Sequence, residues 1–125
     1  MYTVAKQFGF SASHVLAGLG DDHPCSRLHG HNYEVVVMAT SQKLDARGFV
    51  VDFRELDGVK HLIDDVLDHR HLNEVLDGQP SAEVLAKFIY DWCSLNLPGP
   101  VARSITTIRV WETPRSYAEY TPVVP

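Results

Sequence analysis

The stretch Cys25-Ser26-Arg27-Leu28-His29-Gly30-His31-Asn32-Tyr33 puts a thiol and two imidazoles within seven residues, just ahead of the apolar run Glu34-Val35-Val36-Val37-Met38-Ala39. That run reads as a strand, apolar enough to be central in a sheet. Two residues separated by one on a strand point to the same face. His29 and His31 can therefore grip one metal ion.

Upstream, the even positions from Tyr2 to His14 read Tyr, Val, Lys, Phe, Phe, Ala, His, and the odd ones are mostly small or polar. This period of two predicts a half-buried strand with His14 on its apolar face. Paired antiparallel with the strand over Leu28 to Ser41, it would bring His14 beside His29 and His31. Three imidazoles leave a coordination position open, as in catalytic rather than structural zinc sites. Nickel or iron suits the same ligands. The competing reading is a set of hydrogen-bonded core histidines and a simple turn at His-Gly-His. Between the strands, Ala17 to Pro24 is rich in glycine and aspartate and reads as a loop that delivers Cys25.

After a turn at Asp45-Ala46-Arg47-Gly48, Asp52 and Glu55 form a capping-box pattern, and Leu56, Val59, Ile63 and Val66 or Leu67 follow at helical spacing. Gly58 within this helix lowers its expected regularity, at about 1 kcal/mol relative to alanine. Asp68-His69-Arg70-His71-Leu72-Asn73 forms the exit. Ser81 caps a second helix, with Val84, Leu85, Phe88, Ile89 and Trp92 on one stripe, and Leu97-Pro98-Gly99-Pro100 ends it. Ser104 to Glu112 and Tyr117 to Val123 read as the third and fourth strands, joined by a turn at Thr113-Pro114-Arg115-Ser116. The order ββααββ predicts an α+β fold, an antiparallel four-stranded sheet with two helices on one face.

A chain of 125 residues, 45% hydrophobic and 22% charged, fits a single domain over residues 1–125 with a real core. A net charge of -5 without a basic cluster argues against nucleic-acid or anionic-membrane partners and for a small molecule. Met1 to Gln7 lacks a basic region followed by an apolar block, and no segment approaches a membrane span, so the expected compartment is the cytoplasm. Two cysteines in different contexts, Cys25 and Cys93, argue against a disulfide framework; Cys93 reads as core.

Cys25 reads equally as a fourth metal ligand, a buried apolar residue or an acid-base thiol. Asp68-His69 alone is an ordinary helix ending. Glu112 closes the third strand on the face of Ile108 and Val110, where a carboxylate is normally avoided. It either meets a donor edge of a heterocycle or reaches water. Arg27, Lys6 and Arg115 could neutralise a phosphate but read equally as solvated surface. His23 and His61 carry no site reading.

Together, FSASH (Phe10 to His14), CSRLHGHNY (Cys25 to Tyr33), VDF (Val51 to Phe53), LDH (Leu67 to His69), PSAE (Pro80 to Glu83) and WET (Trp111 to Thr113) resemble the 6-pyruvoyl-tetrahydropterin synthase family over nearly the whole chain. The short Cys-x-x-x-His-Gly-His spacing is most similar to the bacterial 6-carboxy-5,6,7,8-tetrahydropterin synthases of queuosine biosynthesis. The resemblance implies a tunnelling fold (T-fold), in which subunits assemble side by side into a barrel, commonly a hexamer of two trimers, with active sites at subunit interfaces. It implies that His14, His29 and His31 bind Zn2+, that Cys25 is the general base, and that Asp68 and His69 are its proton-relay partners. Glu112 would anchor the amino-pyrimidine edge of a pterin, and the backbone at Ser81 and Ala82 would contact that ring from a neighbouring subunit.

The implied substrate is 7,8-dihydroneopterin triphosphate. The implied alternatives are the pyruvoyl-forming reaction, which stops at triphosphate elimination, the carboxy-forming reaction in a deazapurine natural-product pathway, and a non-catalytic pterin- or metal-binding protein. The chain departs from the family pattern at Ser81, often threonine, and at Arg70, where many carboxy-forming relatives have histidine. His71 lies one place further on and is a further candidate for the relay.

Overall fold

The computed structural model describes residues 1–123. Strand β1 (Tyr2–His14) pairs antiparallel with β2 (His29–Ser41) in unbroken register from Tyr2↔Ser41 to His14↔His29. The alternation read in both strands is the alternation of burial: Phe10, Ala12 and His14 face the core from β1, and Tyr33, Val35, Val37 and Ala39 from β2. Lys6 shares the inward register of β1 and carries its ammonium to the Asp57 carboxylate and to the Phe53 carbonyl at 3.3 Å, so it forms part of the fold.

The sheet has five strands, in the order β3-β1-β2-β4-β5, where four were expected. The addition is β3 (Arg70–His71), which lies parallel to Ala12 and Ser13. Two residues are too few to show a period, so the strand exists in the pairing and not in the local sequence. Strands β4 (Ile105–Thr113) and β5 (Ser116–Tyr120) form the expected hairpin; β5 ends at Tyr120, short of the expected Val123.

The first helical segment is irregular. The Asp52–Glu55 capping box is present, but it opens a 3-10 turn (Phe53–Leu56), followed by helix α1 (Gly58–Leu62) and a π turn (Ile63–Leu67). Gly58 meets a packing demand here: a Cβ at that position would stand 2.9 Å from Leu97 Cδ2. The π turn closes with the Asp68 N–H donating to the Ile63 carbonyl at 2.8 Å, and Asp68 itself is extended.

Helix α2 (Ala82–Asn96) is capped by Ser81, whose Oγ accepts from the Val84 N–H at 3.2 Å, and it packs Leu85, Ala86, Ile89 and Cys93 into the core against β4 and β5. The chain does not go straight from Pro100 into β4. A short helix α3 (Gly99–Ser104) intervenes, with proline in its first turn, where the missing N–H is harmless. Among the described residues no helix is long and apolar enough to cross a membrane.

Candidate active site

Because His14 and His29 are register partners and His31 lies two residues along β2, three imidazoles converge on the core face at one end of the sheet. Their candidate ligand atoms lie within 4.8 Å of one another, and Cys25 is not part of this group. Two of the rings are held by backbone carbonyls: His14 Nδ1 is 2.7 Å from the Pro80 carbonyl, and His29 Nδ1 is 2.7 Å from the Arg27 carbonyl. A carbonyl can only accept, so both Nδ1 atoms carry the proton and both Nε2 atoms present lone pairs. Those Nε2 atoms are 2.8 Å apart. Two facing lone pairs require a cation between them. The third ring supplies the second sign of a binding site, since His31 Nε2 is buried without a hydrogen-bond partner.

Glu112 brings a carboxylate to the histidines, its Oε1 3.3 Å from His31 Nε2. Trp111 pairs with Tyr117 and Thr113 with Ser116, which leaves Glu112 as the extra residue of a β-bulge. Bulges re-aim side chains, and this one stands next to the histidines. Burial holds the His31 imidazolium pKa below its usual value; Glu112 opposes that shift, and His14 and His29 add to it. Tyr33, two further along the face of His29 and His31, floors the site; burial and then Glu112 push its phenol well above the usual range. The i, i+2, i+4 spacing from His29 could have identified Tyr33. Nothing in the sequence marks the Pro80 or Arg27 carbonyls, because every residue has one.

Two cavities meet at Gly30, His31 and Asn32. One, of about 690 Å³, runs to Trp111, Glu112 and Pro114. The other, of about 540 Å³, runs between Ser11, Ser13 and the segment His69 to His71. Behind two residues of the second, Asp68 Oδ1 accepts from the Ser11 N–H at 3.0 Å and lies 3.0 Å from His69 Nδ1. The Ser11 amide and then His69 keep the Asp68 carboxyl below its usual pKa. His69 is left-handed at φ 58° and its side chain is 82% exposed. A non-glycine residue in that region is strained, and here its N–H donates to the Ser11 carbonyl at 2.6 Å. His71 Nδ1 is 3.0 Å from Ser13 Oγ, apart from the Asp68–His69 pair.

Cys25 sits half-buried in a 3-10 turn, Pro24–Ser26, with its N–H on His23 Nδ1 at 3.1 Å. His23 thus has a structural task. Cys25, Ser81 and Ala82 do not line the two cavities that His31 borders. Among the described residues no hydrogen bond joins Cys25 to Asp68 or His69. The structure therefore brings together His14, His29, His31 and Glu112, and separately Asp68 and His69, while Cys25, Ser81 and Ala82 line neither cavity, although Pro80 just before the α2 cap holds His14.

Over residues 3–123 the chain matches the family described as 6-pyruvoyl tetrahydropterin synthase. It is 32% identical over 145 residues to the 6-carboxy-5,6,7,8-tetrahydropterin synthase of Haemophilus influenzae, covering 96% of this chain and 99% of that one. It is 37% identical over 134 residues to the Bacillus subtilis protein of the same name, covering 97% and 86%. The 6-pyruvoyl tetrahydropterin synthase of Caenorhabditis elegans superposes with a TM-score of 0.84 at 24% identity, over 98% of this chain and 96% of that chain, a likeness of fold. The order and spacing of the motifs, the five-stranded sheet with its helices on one face and these matches agree: the chain belongs to the 6-pyruvoyl tetrahydropterin synthase family.

Proposed function

We propose that this protein is a zinc-dependent lyase that converts 7,8-dihydroneopterin triphosphate and water to 6-carboxy-5,6,7,8-tetrahydropterin, acetaldehyde and triphosphate, on the way to queuosine and related 7-deazaguanines. The observation that carries the reading is the three-imidazole set, two of its tautomers fixed by backbone carbonyls, with the Glu112 carboxylate 3.3 Å from His31. The near full-length relatives named as carboxy-forming synthases support this product over the pyruvoyl one.

His14, His29 and His31 would hold the ion. When bound, it supplies a Lewis acid that polarises the substrate's side-chain hydroxyls and stabilises developing oxyanion charge. Glu112 accepts from the amino-pyrimidine edge of the pterin, two parallel bonds that fix the ring beside the histidines. The Cys25 thiolate removes the carbon-bound proton next to the polarised hydroxyl. Asp68 stays ionised on the Ser11 amide and orients His69, which passes protons to and from the thiol. The backbone at Ser81 and Ala82 adds contacts to the ring.

Within one chain Cys25, Ser81 and Ala82 do not line the cavities, and the His69 ring is exposed. These groups are brought together between copies. Among the described residues, the outer edge of β5 and the outer edge of β1 before Ala12 have no strand partner. Side-by-side pairing of such edges closes a barrel and supports a hexamer built from two trimers.

The test is mass analysis of the products after zinc-loaded protein meets 7,8-dihydroneopterin triphosphate. The expected products are 6-carboxy-tetrahydropterin and acetaldehyde. An end product of 6-pyruvoyl-tetrahydropterin would replace this reading with the pyruvoyl-forming one. No turnover by the assembled, metal-loaded protein would leave a binding protein.

A further inference from the structure

The backbone of β1 changes partners at its end. Ser11 is met by the Asp68 carboxylate and the His69 N–H, and Ala12 and Ser13 by β3. Beyond His14 there is no strand left to pair with, yet the bonding continues. The Val15 N–H donates to Asn73 Oδ1 at 2.9 Å, and Asn73 Nδ2 donates back to the Val15 carbonyl at 2.9 Å. Two residues on, the Ala17 N–H donates to Gln79 Oε1 at 2.9 Å, and Gln79 Nε2 returns a bond to the Ala17 carbonyl at 2.6 Å. Each carboxamide imitates one residue of a neighbouring strand.

Between these two clamped residues, the N–H of Leu16 points the opposite way, as alternation requires, and donates to the Cys25 carbonyl at 2.9 Å. The same bond fixes the turn that carries the thiol. Gln79 also adjoins Pro80, whose carbonyl holds His14 Nδ1. Asn73 and Gln79 are both exposed, and a surface amide that only bonded water would show no such reciprocal pairing with a single backbone residue.

We propose that Asn73 and Gln79 are positioning residues: their carboxamides clamp Val15 and Ala17 so that Leu16 holds the Cys25 turn in place for proton transfer. The inference rests on the reading of Cys25 as the reactive thiol. Its test therefore has an arm that needs no pterin. In Asn73→Ala, Gln79→Ala and the double variant, Cys25 is alkylated with iodoacetamide in the full, zinc-loaded protein. Cys93 serves as the internal control, because burial pushes its thiol up to about 12 and only global unfolding exposes it.

Release of the clamp loosens the turn, so Cys25 alkylation accelerates severalfold while Cys93 stays unmodified and zinc content is kept. With substrate, kcat falls about tenfold and KM stays near the parent value, since positioning acts on the step and not on binding. Gln79→Glu keeps the acceptor for the Ala17 N–H and loses the donor; it gives an intermediate result and serves where the alanine variant fails to fold. An unchanged alkylation rate, an unchanged kcat, or loss of zinc in the folded variants overturns the proposal. If the parent protein does not turn over the substrate, the lyase reading falls, and the alkylation arm alone decides the clamp.

Discussion

The Nε2 atoms of His14 and His29 face each other at 2.8 Å while both Nδ1 atoms are tied to backbone carbonyls. Neither ring can turn its proton inward without leaving its carbonyl, so the pair is built to share a cation. Zinc should therefore bind stoichiometrically and raise the unfolding midpoint, by the equivalent of about 2.7 kcal/mol at a free concentration a hundred times the dissociation constant. Metal analysis after dialysis, with thermal melts before and after chelation, checks this. Retention of full zinc by His29→Ala would remove that ring from the ligand set.

Glu112 is held in the site by a bulge, and the proposed role is to accept a bidentate edge. Glu112→Gln keeps the shape, loses the charge and turns one acceptor into a donor. A charged hydrogen bond contributes about 1.5–3 kcal/mol, so KM should rise about ten- to a hundredfold with zinc content unchanged. Steady-state kinetics decide it, and unaltered kinetics would put Glu112 outside the substrate site.

Cys25 lies outside the imidazole group, in its own short turn. Cys25→Ala should accordingly retain zinc and oligomer size while turnover drops by at least about a hundredfold, the typical contribution of a general base. A variant that loses its zinc would instead make the thiol a ligand.

The long pairing of β1 with β2 was legible because both strands alternate over many residues, and the alternation carried His14, His29 and His31 to one face with it. The capping box at Asp52–Glu55 and the Ser81 cap were legible for the same reason: each is a local pattern with a local cause. What escaped was made by tertiary pairing. Strand β3 is two residues long, the bulge at Glu112 depends on where β5 falls, and the carbonyls of Pro80 and Arg27 have no signature. Asn73 and Gln79 read as ordinary surface because their partners lie 58 and 62 residues away along the chain.

Asp68 ties β1 to the segment before β3 through the Ser11 N–H, and its carboxyl is held below the usual range. A depressed folded value means that the contribution is present above the unfolded pKa of about 3.9 and is lost as pH falls through the lower folded value. Unfolding midpoints measured across the acid range should fall in that window for the parent protein. Asp68→Asn, which keeps an acceptor for Ser11, should fall less and should lose turnover at neutral pH through His69. An identical acid profile would show that Asp68 contributes nothing to the linkage.

His31 gives a second, higher window, and its sign is the same. Burial lowers its pKa, Glu112 works against that, and the neighbouring His14 and His29 reinforce it, so the folded protein binds this proton less readily than the unfolded chain. The His31 contribution to the stability of the metal-free protein should thus be complete above the unfolded histidine pKa of about 6.5 and decline as pH drops below it. Zinc competes with protons for the same imidazoles and should move the decline to lower pH. Melts in chelator and in excess zinc, each across this range, test both statements. His31→Gln, with no proton to take up at that position, should flatten the metal-free decline; a slope equal to the parent's would assign the linkage to other histidines.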